Sequence, residues 1–208
     1  GLDIGIVDGG DGEGLRCPIG GREGQGAAGK AELRIRGGGS KDFYGLALQG
    51  EPLSTQELNG IVSYEPSELV VTVGAGTPLT ELEAVLAERG QCLAFEPPHF
   101  RWCAEAATHA EPLGERASSC GTAEGSAATI GGMVAAGLSG PARASVGAVR
   151  DYLLGVMLVN GRAELLTFGG QVMKNVAGYD VSRLMAGSLG TLGLITEVSL
   201  KVLPVAPP

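Results

Sequence analysis

Arg36, Gly37, Gly38, Gly39, Ser40, Lys41 and Asp42 put bare backbone, a hydroxyl, two cations and a carboxylate into seven consecutive residues. Successive backbone N–H groups can converge on an oxyanion where no Cβ stands in the way, and a hydroxyl adds one more donor. Glycine loses more backbone freedom on folding than any other residue, so three in a row weaken whatever element they interrupt. The spacing is neither G-x-G-x-x-G nor G-x-x-x-x-G-K-[ST], the two common nucleotide loops. On residue types alone, an anion cradle and an ordinary glycine turn both remain open.

A second set of small residues lies far along the chain: Gly131, Gly132, Ala135, Ala136, Gly137, Ser139 and Gly140. Close helix–sheet packing and ligand contact explain it equally well. Two such sets fit a long ligand with a central diphosphate better than two unrelated turns. Lys174 and Asn175, then Asp180 and Arg183, offer either an anion contact or an ion pair of their own. Gly190 and Gly193 bracket a turn that would bare the backbone from Leu192 to Ile195. His99, beside Pro97 and Pro98, reads as structural before it reads as a proton-transfer group.

The elements that must position these residues follow from the hydrophobic pattern. "AELRIRG" alternates, which predicts a short strand running into the glycine loop. "LNGIVSYEP" and "ELVVTVGAG" predict two strands about a turn at Pro66 and Ser67. In "GTPLTELEAVLAERG", Thr77 is the expected N-cap, with Pro78 first in the helix. Leu79, Leu82, Val85 and Leu86 share one face, and Gly90 ends it. "CLAF" predicts a strand, and "YLLGVMLVNGRAELLTF" a hairpin turning at Asn160-Gly161. "VSRLM" suggests a short helix and "LITEVSLKVLP" a closing strand. Residues 1–30 are glycine-rich and aperiodic, and 101–126 read as a long insertion-like excursion. There is no internal repeat, and the order of elements argues α+β.

With 208 residues at 44% hydrophobic, the chain can bury a real core, as one domain or two joined lobes. A net charge of −8 with no basic segment argues against a nucleic-acid surface, yet leaves room for an anionic ligand held by backbone. No apolar run is long enough to span a bilayer, and no leader opens the chain, so the expected setting is the cytoplasm. Cys17, Cys92, Cys103 and Cys120 make no C-x-x-C pair, and His99 and His109 are the only histidines, so no metal site is expected.

Taken together, "RIRGGGSKDFYG", "VVTVGAGTPLTELEAVLAERGQCLAFEPPHF", "ATIGGMVAAGLSGP" and the block from "GAVRDYLLGVMLVNG" to "GSLGTLGLITEVSLKVLP" resemble the FAD-binding domain of the PCMH type, in the vanillyl-alcohol-oxidase superfamily. Within it, the resemblance is to the FAD-binding E subunits of bacterial glycolate oxidase, also called glycolate dehydrogenase, over about residues 31 to 100 and 127 to 204. The resemblance implies a two-lobed α+β fold, lobe one about 1–75 and lobe two about 76–208, with FAD between. Arg36 to Asp42 would wrap the diphosphate by backbone, any Cβ there holding it off. Gly76 and Thr77 would lie near the cofactor, and Thr129 to Met133 with Gly137, Ser139 and Gly140 would form a second wall. Ile195 would offer main-chain groups. The loop has no histidine, so the FAD is expected to be noncovalent.

The implied activity is an FAD-dependent oxidoreductase: flavin takes hydride from glycolate or another 2-hydroxy acid and passes electrons on. The implied partners are a second flavoprotein subunit and an iron–sulfur subunit, with attachment to the inner membrane only through them. Family members continue past "SLKVLP" into a cap domain carrying the substrate side, so no catalytic residue is assigned, and the isolated chain need not turn over. The alternatives are a non-catalytic assembly subunit of that complex and a related flavoenzyme on another alcohol or hydroxy acid.

Overall fold

The computed structural model of the chain describes residues 32–42, 49–100, 127–171 and 178–205. The aperiodic N-terminal stretch, the 101–126 excursion, Lys174, Asn175, His109 and every cysteine except Cys92 lie outside them.

Among the described residues, nine strands form three sheets. Strands β1 (Leu33–Arg36) and β2 (Glu51–Ser54) pair in parallel, with Leu33 opposite Glu51 and Arg36 opposite Ser54. The main sheet joins β3 (Ile61–Glu65), β4 (Val70–Gly74), β6 (Leu153–Val159), β7 (Leu165–Gly169) and β8 (Leu194–Lys201). Its order is β3-β4-β8-β6-β7, antiparallel throughout. A third pair, β5 (Gln91–Cys92) with β9 (Leu203–Pro204), ties the chain beyond β8 to the first helix. The α+β expectation holds. Residues 61–74 supply β3 and β4 to the main sheet, beside β8 and β6.

Helices α1 (Leu79–Glu88) and α2 (Ile130–Ala136) cover one face of this sheet, followed by short turns α3 (Arg143–Val146), α4 (Val149–Tyr152) and α5 (Val181–Met185). Leu79, Leu82 and Leu86 of α1 and Ile130, Met133 and Val134 of α2 pack with Val71, Val73, Phe95, Val198 and Leu200, all essentially without solvent contact. Burying one such side chain is worth about 1.5–3 kcal/mol. A smaller cluster of Leu53, Leu58, Val159 and Leu194 fastens the β1–β2 pair to the end of the main sheet.

Three local expectations shift. Pro78, not Thr77, is the N-cap of α1, and the Thr77 hydroxyl is used elsewhere. The β6–β7 connection is a five-residue loop, not a two-residue Asn-Gly turn. The Asn160 carboxamide oxygen accepts from the Arg162 and Glu164 amides, and Ala163 takes the left-handed conformation. The side chain of Asn160 thus replaces the backbone turn that the Asn-Gly pair suggests. "CLAF" supplies only Cys92 to a strand, and the chain turns at Leu93 to Glu96.

Candidate cofactor site

The glycine loop leaves β1 at Arg36 and is closed on itself. Gly39 adopts φ 74°, a left-handed conformation that favours glycine, and its carbonyl accepts from the Asp42 amide at 3.1 Å. Arg36 folds back over it, its guanidinium reaching Asp42 Oδ2 at 2.7 and 2.9 Å. Both partners are about half exposed, so the pair shapes the loop more than it stabilises the protein. Ser40 is buried, and its hydroxyl lies 3.4 Å from Lys41 Nζ. Among the described residues, the backbone N–H groups of Gly37, Gly38, Gly39, Ser40 and Lys41 meet no acceptor. Two of the five residues, Gly38 and Ser40, are buried, where backbone donors are normally paired.

The second small-residue segment closes on this loop. A Cβ on Gly37 would stand 2.5 Å from Thr129 Oγ1, and one on Gly38 would stand 1.8 Å from the Ala127 carbonyl oxygen. A Cβ on Gly39 would meet the Arg36 guanidinium at 2.3 Å. The glycines are therefore required by the protein's own packing before any ligand is considered. The space is already filled by residues 127–129 and Arg36.

The same segment zips onto the entry to α1. Leu79 donates to the Ala128 carbonyl at 2.8 Å, Ile130 to Thr77 at 3.0 Å and Gly131 to Ala75 at 2.7 Å. Gly131 lies so close to Ala75 that a Cβ would meet it at 2.7 Å. The Thr129 hydroxyl caps α2 by accepting from Gly132. With the Ile130 and Gly131 amides engaged in this way, the first turn of α2 contributes position and small bulk, not free donors. Thr77 is fully buried; its hydroxyl accepts from the Gly60 amide at 2.9 Å and so fixes the turn before β3. Gly76 is held by the Leu58 carbonyl at 2.7 Å, and a Cβ there would fall 2.0 Å from the Thr55 carbonyl oxygen.

Structure thus brings together Arg36 to Asp42, Gly76, Thr77 and Thr129 to Met133. Of β8 it is Thr196 that reaches them, its carbonyl accepting from the Ala75 amide at 2.9 Å, while Ile195 lies opposite Leu158 within the sheet. Gly137, Ser139 and Gly140 lie apart, beyond the C-terminal end of α2. There Gly137 approaches Gly187, Ser139 Oγ accepts from Val149, and Gly140 donates to Phe95. Asp180 and Arg183 pair at 3.1 Å, and Asp180 caps α5. His99 reaches Glu83 on the exposed side of α1. Sequence reasoning missed Thr55, Leu58, Ala75 and Ala127. Their contribution is made by carbonyl oxygens, which leave no signature in residue type; only the burial of a threonine within the polar run "STQELNG" hints at it.

Residues 27–107 match the family described as "FAD binding domain". The glycolate oxidase subunit GlcE of Escherichia coli (strain K12) is 47% identical over 84% of this chain and 43% of its own length. The chain belongs to the PCMH-type FAD-binding family. D-lactate dehydrogenase of Anaerostipes hadrus is 30% identical over 74% of the chain and 27% of its own length. A solved structure of alkyldihydroxyacetonephosphate synthase matches with a TM-score of 0.62, at 21% identity, over 89% of the chain and 30% of its own, a likeness of fold. The chain spans less than half the length of the curated relatives it matches. For an FAD-binding family the loop has the right chemistry. Five amides with no acceptor among the described residues, a buried hydroxyl and a half-buried ammonium are donors suited to a diphosphate.

Proposed function

We propose that this chain is the FAD-binding part of a glycolate or 2-hydroxy-acid dehydrogenase. The observation that carries the reading is the row of open amides from Gly37 to Lys41 in a chain 47% identical to a glycolate oxidase subunit. Bound FAD supplies the hydride-accepting ring and a path for electrons. The protein's share is binding. The amides and Ser40 hold the diphosphate, Lys41 adds charge, and the packed segment 127–132 backs the loop against Gly76 and Thr77. The described part of the loop offers no histidine for a covalent bond, which supports noncovalent FAD. A second flavoprotein subunit and an iron–sulfur subunit are the proposed electron partners. The proposed location is the cytoplasm, at the inner membrane only through those partners; no described helix is long and apolar enough to cross a membrane.

Two measurements on the purified chain test this. Denaturation and filtration should leave the yellow colour in the filtrate, while colour retained on the polypeptide overturns the noncovalent assignment. Anaerobic glycolate or D-lactate should bleach the flavin spectrum when the partner subunits are present. A colourless protein that still assembles with those subunits would favour a scaffold instead.

A further inference from the structure

We infer that Lys41 is the charged counterpart of the flavin nucleotide's diphosphate, spanning from the glycine loop to the first turn of α2. This rests on the FAD reading and deepens it by separating one side chain from the backbone contacts around it.

Three observations converge on the ammonium. Its polar contact among the described residues is the neutral Ser40 hydroxyl at 3.4 Å. It lies against α2, since a Cβ on Gly132 would come within 3.5 Å of Nζ. No described carboxylate pairs with it. Asp42, the acid of its own loop, is taken by Arg36, and the α2 sequence IGGMVAA holds no titratable residue. A half-buried cation with no counter-charge is costly to keep and is normally paired. Burial accordingly holds the Lys41 ammonium below the ordinary lysine range. Beside it stand five amides with no acceptor among the described residues. A dianion placed there would satisfy the amides and the charge together.

Two consequences separate Lys41 from the loop backbone. Lys41 adds to the discrimination between charged and uncharged flavins, because amides also bind neutral acceptors. Affinity also becomes linked to protons. The free protein releases the Lys41 proton at lower pH than a solvated lysine does, whereas a bound dianion favours the ammonium. Binding above the free-state value must therefore take up a proton, and affinity falls as pH rises through it. The other charged groups of the loop, Arg36 and Asp42, pair with each other.

The test is titration of the apo chain with FAD and with riboflavin, followed by flavin fluorescence. Lys41→Met should weaken FAD by about ten- to a hundredfold, the range of a charge-assisted hydrogen bond, and leave riboflavin unchanged. Lys41→Arg should retain most of the affinity and its salt dependence. The parent's FAD affinity should drop toward alkaline pH and with added salt, and the Met variant's lines should be flatter on both axes. Relief of the buried charge should leave the Met variant at least as resistant to urea as the parent. FAD affinity within twofold of the parent, with parallel pH and salt lines, overturns the assignment. The alkaline titration of the unsubstituted chain asks the same question without a mutation. A parent chain that binds no FAD at any pH overturns the cofactor reading itself, a different outcome from a variant that binds as well as the parent.

Discussion

At the scale of single residues, the glycines separate into those that touch something and those that do not. Gly38 has its missing Cβ position occupied by the Ala127 carbonyl, whereas Gly161 in the β6–β7 loop has nothing within 4 Å. Overpacking at the first should cost on the order of 1–3 kcal/mol as the loop separates from residues 127–129. The same change at the second should stay within about 0.5 kcal/mol. Urea unfolding of Gly38→Ala and Gly161→Ala compares them directly, and equal losses would mean that the loop yields freely. This also changes what a bulky residue at position 38 can report. Loss of FAD there would follow from a displaced wall as readily as from an obstructed phosphate, so Lys41, whose truncation forces no overlap between the two segments, is the cleaner probe.

At the scale of elements, the strands and α1 were legible in sequence wherever a period was sustained. Leu79, Leu82 and Leu86 recur at helical spacing and are buried as that spacing requires. The pairing of the strands was not legible, because "VVTVG" is buried along its whole length and carries no in–out alternation to fix its neighbours. Its central place emerges only from β8 lying beside it. The far face of that sheet is polar: Thr72 and Ser199 share a hydrogen bond at 2.8 Å, and Gln171 donates to Thr72. Glu197 of β8 lines a cleft there with Gly155, Thr167 and Ser199, and burial raises it above the ordinary carboxylate value of 4.5. The folded protein keeps that proton to higher pH than the unfolded chain does. This residue's contribution therefore weakens as pH climbs from the ordinary carboxylate value through the raised one. Glu197→Gln should remove that decline. Urea midpoints at about pH 4.5 and about pH 7 should diverge less in the variant than in the parent; an unchanged difference would clear Glu197 of any part in it.

At the scale of the whole molecule, the candidate site is made by segments distant in sequence. Residues 36–42 meet 127–132, which dock on 75–79, which hang from Thr196 of β8. The resemblance of the glycine loop could be read from consecutive letters. The wall behind it could not, since carbonyls at Thr55, Ala75 and Ala127 depend on the path of the chain and not on the letters. β8 is the last of the five sheet strands in chain order, yet it stands third, between β4 and β6. On the ribosome, β4 and β6 emerge with no partner to bridge them, and the scaffold of the pocket waits for Leu194–Lys201 to be threaded into the gap. Cofactor loading should therefore wait until synthesis has passed that strand. Nascent chains stalled before Leu194 should retain no flavin, and those stalled late enough to release Val205 from the exit tunnel should retain it. Capture by the shorter chains would mean that the pocket assembles without its central strand.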